Sequence, residues 1–289
     1  MLIANIDLQG GLTATASYST VGEEVYTTPG TYSWTCPSGV TSVCVVCIGG
    51  GAGGGGGPLA GGSYGGGGGS LAYKNNISVT PGQIYTVEVG AKGISGGAYY
   101  NYGAKTWHYQ YPTDGGNSFF INESTVFASG GQLGSGGNTI VGEGGGAGGN
   151  GGIQIYNATG GGGGAGGYGS SGGDGGSRTA NNWINPTLGS NGSGNGGNTQ
   201  IYFYGKNPML GDGGQGASLY GPTVPGEPGQ VPTTMFGAGS GGNYGGGGGG
   251  GSGSQFSSFG MLAFGDNGAV GAVRIIWGPG RAFPNTNVV

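Results

Sequence analysis

Glycine in this sequence follows a three-residue period. Over residues 165–177, residues other than glycine fall at every third position, and only Ser170 replaces one of the intervening glycines. The residues at these third positions are Ala165, Tyr168, Ser171, Asp174 and Ser177. The same spacing returns without interruption in residues 147–153, and with one interruption each in residues 129–138 and 212–218. A period of three belongs to neither the α-helix nor the β-strand but to the polyproline II helix. The pattern therefore predicts polyglycine II helices, which are glycine-rich chains in that conformation.

Neighbouring helices of this kind must hold one another, because a polyproline II helix has no internal hydrogen bonds. Two of the three ridges would be bare glycine, which lets backbones approach closely and pair their N–H and C=O groups. The third ridge carries mostly Ser, Asn, Gln and Asp, which we expect to face water. Runs of consecutive glycines have no side-chain ridge, so they fit the interior of a bundle of such helices. We therefore predict that Gly245 to Gly251 are extended, buried and hydrogen-bonded, where a flexible linker is the usual interpretation.

Composition favours a folded chain over a disordered one. Of 289 residues 84 are glycine, only 6% are charged and 10% are aromatic. Disordered sequences stay solvated through charge and are poor in aromatic residues, so a chain of this composition should fold. The formal net charge is −4, and the seven Lys and Arg residues are scattered. Because nucleic-acid binding needs a clustered basic surface, we expect no nucleic-acid partner.

β-strand patterns concentrate at the two ends of the chain. The predicted strands are residues 24–28, 31–36, 43–48, 77–80, 83–90 and 272–277. The strands 77–80 and 83–90 are predicted to form a hairpin across the Pro-Gly turn between them. In the last strand Val273, Ile275 and Trp277 share one face. No segment shows a helical period with caps, so α-helix should be scarce.

These patterns predict a fold that is mostly β and irregular. It consists of a small antiparallel β-sandwich formed by both chain ends, with an inserted polyglycine II helix bundle and almost no α-helix. We place the sandwich in residues 23–95 and 266–289, and the bundle with its aromatic loops in residues 96–265. The glycine tract 49–70 is expected to join the bundle. Residues 1–22 are interpreted as an N-terminal attachment segment.

Residues that could carry out catalysis are few. His108 is the only histidine, and the eleven Asp and Glu residues are dispersed. Cys44 and Cys47 form a C-x-x-C pattern, but in a strand residues three apart point to opposite faces. With Cys36 they are expected to be small buried hydrophobic residues without a disulfide. The sequence predicts no catalytic site, no metal site and no cofactor, and hence a protein that is not an enzyme.

Recognition is the chemistry that remains. Aromatic inserts interrupt the glycine tracts, and Tyr with Ser, Gly and Asn is the typical composition of binding loops. Such loops would gather where helices reverse, at the end of the bundle furthest from the sandwich. The candidate receptor-binding residues are Tyr99, Tyr100, Tyr102, Trp107, His108, Tyr109, Tyr111, Trp183, Tyr202, Tyr204 and Tyr220. The alternative is that such rings close the ends of the bundle as a core, which we favour for Phe119, Phe120, Phe127 and Tyr156.

Two terminal segments resemble one known group of proteins. Residues 25–51 (VYTTPGTYSWTCPSGVTSVCVVCIGGG) resemble the opening of glycine-rich domains in tail and other virion proteins of tailed phages. Residues 271–287 (GAVRIIWGPGRAFPNTN) are similar to their closing strand and tail, particularly in marine and cyanobacterial myovirus-like phages. The middle is similar in style to the polyglycine-sandwich adhesins at tail-fibre tips. The resemblance implies layered polyproline II helices whose variable loops bind a host surface glycan or outer-membrane protein, with other virion (tail-fibre) proteins as partners.

The sequence therefore suggests a phage virion protein, a tail-fibre or tail-tip adhesin, that can form a homo-oligomer. It shows no signal peptide and no apolar run long enough to cross a membrane. We expect location in the virion after synthesis in the host cytoplasm, without membrane insertion. Two alternatives stay open: a structural or decoration protein of the virion without receptor binding, and a bacterial extracellular-fibre or surface protein.

Overall fold

The computed structural model describes residues 21–56, 64–101, 103–153, 159–178, 183–185, 193–198, 209–231, 238–249, 251–252 and 262–285. In these residues the regular secondary structure is β-strand. The strands are β1 (Gly22–Tyr26), β2 (Gly30–Thr35), β3 (Ser42–Ile48), β4 (Leu71–Ser78), β5 (Ile84–Val89), β6 (Gly97–Asn101), β7 (Thr106–Gln110), β8 (Ser118–Phe120), β9 (Val126–Ala128), β10 (Ile140–Val141), β11 (Gly144–Gly146), β12 (Ser177–Arg178), β13 (Trp183–Ile184), β14 (Met209–Leu210), β15 (Gly251–Ser252), β16 (Leu262–Phe264) and β17 (Ala272–Trp277). Within the same ranges no helix is long and apolar enough to cross a membrane.

Two five-stranded antiparallel sheets pack face to face as a β-sandwich. The first sheet has the order β1-β17-β3-β4-β11, and the second has the order β10-β9-β8-β5-β2. Trp34 and Phe120 from the second sheet and Val273 and Ile275 from the first meet in a buried core, against which Trp277 packs. The predicted fold class, mostly β with a sandwich that uses both ends of the chain, is confirmed.

The sandwich differs from the sequence prediction in its connections. β4 and β5 do not form a hairpin, because the turn between them carries the chain from the first sheet to the second. Strands β8 to β11 also join the two sheets, although they fall within the residues where the sequence predicts the inserted bundle. Each has only two or three residues, too few for an alternating pattern to be recognised. Phe120 and Phe127 are buried there as expected, Phe119 is half-buried, and Tyr156 lies outside the described residues.

The three cysteines are free and buried. Cys47 and Cys36 face the core between the sheets, whereas Cys44 faces the opposite side of the first sheet. This confirms that the C-x-x-C pattern does not bring two thiols together. Burial raises the pKa of all three thiols, which suppresses the reactive thiolate form.

We expect the cysteines to be protected from thiol reagents in the native protein. Their reaction requires opening of the core, so labelling with a chromogenic aryl disulfide at pH 8 should be at least about 100-fold slower than in denaturant. The time course of thiolate release, followed by absorbance, measures the difference. Three thiols that react in native buffer as fast as in denaturant would contradict a packed sandwich.

The polyglycine segments use a hydrogen-bond pattern with a period of three. In segment 49–55 every third N–H, beginning with Gly49, donates to carbonyl groups of segment 64–70 at 2.8 to 2.9 Å. The second N–H of each turn donates to segment 113–116 and the third to segment 266–269. One turn thus makes one hydrogen bond to each of three neighbours. This is the polyglycine II arrangement that the glycine period predicts.

The carbonyl groups of segment 49–55 accept hydrogen bonds from other neighbours. They accept from the N–H groups of Gly131, Gly248 and Gly93 at 2.8 to 3.0 Å. The segment therefore has six neighbouring backbones, and the one side chain that it buries among them is the methyl group of Ala52. Glycine is required here by close approach rather than by an unusual φ angle.

The seven-glycine run lies inside this array. Gly245 to Gly249 are buried, and each of their N–H groups donates to a backbone carbonyl. A Cβ added at Gly248 would overlap the carbonyl oxygen of Asp266 in the adjacent segment. The prediction of a buried, hydrogen-bonded run is confirmed for these residues, but the expected extended conformation is wrong for Gly245, which lies in a turn with a φ of 80°. Gly250 lies outside the described residues, and Gly251 begins β15.

The side-chain ridge of the surface segments caps the backbone of their neighbours. The N–H of Asn150 donates to Oδ1 of Asp174 at 2.7 Å, and the N–H of Ile153 donates to Oγ of Ser177 at 2.9 Å. An outward-facing N–H has no polyglycine neighbour to accept it, so an acceptor side chain from the adjacent helix takes that place. This explains why the ridge is rich in residues with an oxygen on a short side chain.

Part of the ridge is buried instead of facing water. Ala165 and Tyr168, which the period predicts at the surface, pack with Leu219 on the outer face of the first sheet. The chain there lies directly over the sheet, so sheet side chains replace water as the neighbours of the ridge. The first sheet is therefore covered on both faces, by the second sheet and by the polyglycine array.

The array stands on the sandwich because strands continue directly into its helices. β3 ends at Ile48 and continues as segment 49–55, while segment 64–70 leads into β4. With a rise of about 3.1 Å per residue, the chain from Gly49 to Gly55 runs about 19 Å away from the sheet. We call the end of the array at Gly55 the tip. The base is the opposite end of the molecule, where β3 starts and β17 ends.

Candidate recognition site

A β-hairpin stands at the tip of the array. The N–H of Gly96 donates to the carbonyl of Gly54 at 2.8 Å, so β6 begins at the level where segment 49–55 ends. β6 pairs antiparallel with β7 on one side and with β16 on the other. The hairpin is therefore supported from below by the array and from one side by β16.

The hairpin loop is closed by local geometry. Lys105 has a φ of 52°, in the left-handed region, as tight turns often require. The side-chain oxygen Oδ1 of Asn101 accepts the N–H of Ala104 at 3.1 Å. Asn is favoured in turns because its side chain forms such bonds to nearby backbone.

Aromatic side chains alternate along and just beyond β7. Trp107 and Tyr109 lie on one face of the strand, and Tyr111 follows directly after its end. The rings of Trp107 and Tyr109 stack, with centroids 6.1 Å apart and an interplanar angle of 18°. Tyr109 is 42% exposed and Tyr111 is 70% exposed. We call these three residues the aromatic strip.

The opposite face of β7 is polar. Thr106, His108 and Gln110 are exposed, and Oγ1 of Thr106 lies 3.4 Å from Nε2 of His108. In the strand register Tyr99 pairs with His108 and Tyr100 with Trp107. The structure thus brings six of the predicted residues together in one element: Tyr99, Tyr100, Trp107, His108, Tyr109 and Tyr111.

The remaining candidates do not join this group among the described residues. Trp183 lies in β13, which pairs with β12 in a separate two-stranded sheet. Outside the described residues lie Tyr102, Tyr202 and Tyr204. Tyr220 lies at the sandwich rather than at the tip, since it follows the buried Leu219 and its ring centroid is 4.5 Å from the Arg274 guanidinium carbon. The chain reverses at both ends of the array, and the sequence does not show at which end a given loop lies.

Sequence reasoning missed β16, which holds the hairpin in place. The three residues of β16 pair with the start of β6, and Ala263 lies opposite Ala98. A run of three apolar residues shows no alternation that would identify a strand. The pairing spans most of the chain, so only the assembled fold brings the two strands together.

The side chains of this hairpin offer groups for non-covalent contacts. β6 and β7 contain no Asp or Glu, and in the part of the chain that the structure describes no group of three or more His, Cys, Asp or Glu could hold a metal ion. The aromatic strip offers apolar ring faces. The hydroxyl, imidazole and amide groups on the other face offer hydrogen bonds. Such a surface suits an uncharged ligand with apolar and hydroxyl-bearing faces.

One protein family, described as glycine-rich domain, matches residues 27–278 of this chain. The match extends from just before β2 to just after β17, and so covers most of the sandwich together with the array. A search among curated proteins finds no match.

Proposed function

The chain belongs to the glycine-rich domain family, and we propose that it is a phage virion protein, a tail-fibre or tail-tip adhesin that binds a host-cell surface glycan or outer-membrane protein. The observation that carries the proposal is the aromatic strip, with exposed Tyr109 and Tyr111 and half-buried Trp107, which lies at the tip, on the far side of the array from the sandwich. The resemblance of residues 25–51 and 271–287 to phage virion proteins supports a location in the virion.

The array gives the strip a rigid support. A binding site loses less entropy on association when its side chains are held on ordered elements. The hairpin stands on helices whose backbones bond to neighbours on several sides, and β16 holds its second edge. The stacked rings of Trp107 and Tyr109 restrict each other further.

The two faces of β7 suit a sugar. Pyranose rings have apolar C–H faces and hydroxyl edges, and aromatic rings with polar groups nearby complement both. The aromatic strip supplies the first kind of contact. Thr106, His108 and Gln110 supply the second.

Replacing the aromatic strip should abolish most binding to host cells. We expect the combined variant Trp107→Ala, Tyr109→Ala and Tyr111→Ala to bind at least about 30-fold more weakly, because a buried aromatic anchor contributes on the order of 2 kcal/mol. The melting temperature should fall only moderately, since Tyr109 and Tyr111 are exposed and Trp107 is half-buried. A whole-cell pull-down over a concentration series measures the affinity.

Tyr220→Ala is the matched control, because it removes an exposed ring at the other end of the array. It should bind cells like the wild type.

Periodate treatment of the cells should remove binding if the receptor is a glycan, whereas protease treatment should remove it if the receptor is a protein. Immunogold labelling of purified particles should mark the tail tip or fibre ends. Equal binding by the combined variant and the wild type, or no binding by either, would contradict the adhesin and leave the structural or decoration role.

A further inference from the structure

The base of the sandwich holds a cavity of about 200 Å³. Thr41 and Ser42 at the start of β3 line it, together with Asn76 of β4 and Trp277 at the end of β17. The guanidinium-bearing Arg281 completes the wall. The cavity is large enough to hold several water molecules or a small ligand group.

Arg281 is a buried cation in this cavity. The residue is only 9% exposed, and its Nη1 donates to the carbonyl of Gly22. Its Nε is fully buried and has no hydrogen-bond partner in the described part of the chain. Among the described residues, the cavity lining contains no Asp or Glu. The positive charge therefore lies in the wall of a polar cavity to which the described residues contribute no carboxylate.

Arg274, the other buried arginine of the sandwich, has hydrogen-bond acceptors for its guanidinium group. Nε and Nη2 of Arg274 both donate to Oε2 of Glu23, and Nη1 donates to the carbonyl of Leu219. Tyr220 covers the face of the group. The two arginines thus differ in one respect that matters, since Arg274 has a carboxylate partner, whereas Arg281 has none among the described residues and lines a cavity.

A buried charge without a partner of opposite charge is unfavourable, and a guanidinium donates charge-assisted hydrogen bonds to carboxylate oxygens. From this buried guanidinium, the cavity that Arg281 lines and the neutral hydroxyl and amide groups in its wall, we propose that the base contains an anion site that takes a carboxylate group. The inference is independent of what the tip binds, because cavity and hairpin lie at opposite ends of the molecule.

The carboxylate can come from a small free acid or from an acidic side chain of a protein docked at the base. The base is also where the chain enters the sandwich, since Gly22 at the start of β1 lies opposite Trp277. A protein that binds the base would therefore contact the cavity and the entering chain together. Both sources present the same chemistry to Arg281, and they can be separated experimentally.

The test is an NMR titration of the wild-type protein, in which the Nε–H signals of the buried arginines are followed. Arg281→Lys identifies the Arg281 signal, and triple-resonance assignment serves if that variant does not fold. With sodium acetate the Arg281 signal should shift and saturate with a midpoint on the order of millimolar. The Arg274 signal should move by less than about a tenth as much, because its partner is already in place.

Two further titrations complete the test. Sodium chloride at equal ionic strength should leave the Arg281 signal in place. A blocked aspartate, N-acetyl-aspartyl amide, should shift it as acetate does, with a lower midpoint if the site is made for a protein side chain and a higher one if it is made for a free acid. A signal that does not move with either carboxylate, or that moves equally with chloride, would overturn the proposal.

Discussion

Gly248→Ala should lower the free energy of unfolding by at least about 3 kcal/mol, at the upper end of the cost of overpacking. The new Cβ would overlap the carbonyl oxygen of Asp266 and lie 2.7 Å from that of Asn267. Both are backbone atoms of a neighbouring segment and cannot rotate away. The segments would have to separate, which would stretch the bond from Gly248 to Ala52. Thermal unfolding followed by circular dichroism measures the loss.

Gly169→Ala is the matched control for this substitution. No heavy atom lies within 4 Å of a Cβ built at Gly169, and its φ is not left-handed. We expect a change within about 0.5 kcal/mol, or a small gain because alanine restricts the unfolded chain. Equal melting temperatures for the two variants would mean that the run containing Gly248 behaves as a linker rather than as part of a packed array.

Trp34→Ala should be the most damaging single change in the sandwich core. Trp34 is 1% exposed, and its ring lies 5.7 to 6.0 Å from the rings of Tyr85, Phe120 and Trp277. These rings belong to both sheets, so they cannot all move into the cavity that alanine leaves. We expect a loss of about 3–5 kcal/mol, or a fall of the melting temperature on the order of 10 °C.

Trp34→Phe separates the cavity from the polar group of the indole. Nε1 of Trp34 is buried and has no hydrogen-bond partner among the described residues, and phenylalanine removes this donor while keeping an aromatic ring. We expect a loss of only about 1 kcal/mol, because a smaller cavity is partly offset by the removal of an unpaired N–H. A loss as large as that of alanine would show that the indole N–H makes a bond the structure lacks.

Trp34→Ala should also lower the stability of the array. β3 continues into segment 49–55 without a break, so sandwich and array are expected to open as one cooperative unit. Amide hydrogen exchange in Trp34→Ala should accelerate at Gly51 and at Val45 alike. Exchange that speeds up at Val45 alone would mean that the two parts unfold separately.

The array could be predicted from the sequence because its determinant is local. A three-residue period is visible within a dozen residues, as in 165–177, and it implies both the conformation and the need for neighbours. The long strands at the chain ends were visible for the same reason. Alternation placed Val273, Ile275 and Trp277 on one face, and all three pack against the core between the sheets.

The rest depends on partners far away in the sequence. Strands of two or three residues, such as β9 and β16, exist because the assembled sheets offer them an edge. Tyr168 lies on a ridge that the period places at the surface, and it is buried because that ridge meets the first sheet. The composition of its loop predicts that Tyr220 lies at the tip, but it lies at the sandwich, because composition alone does not distinguish a reversal at one end of the array from one at the other.

The three directions of hydrogen bonding in the array limit how its tracts can change in length. Successive residues of such a helix are rotated by about 120°, so deletion of one residue would turn every later N–H in the tract towards the wrong neighbour. Deletion of three would restore all directions and shorten the helix by one turn, about 9 Å. Insertions and deletions in segment 49–55 should therefore be tolerated only as triplets. The loops at the tip do not follow this three-residue period of hydrogen bonding, so they can gain or lose single residues.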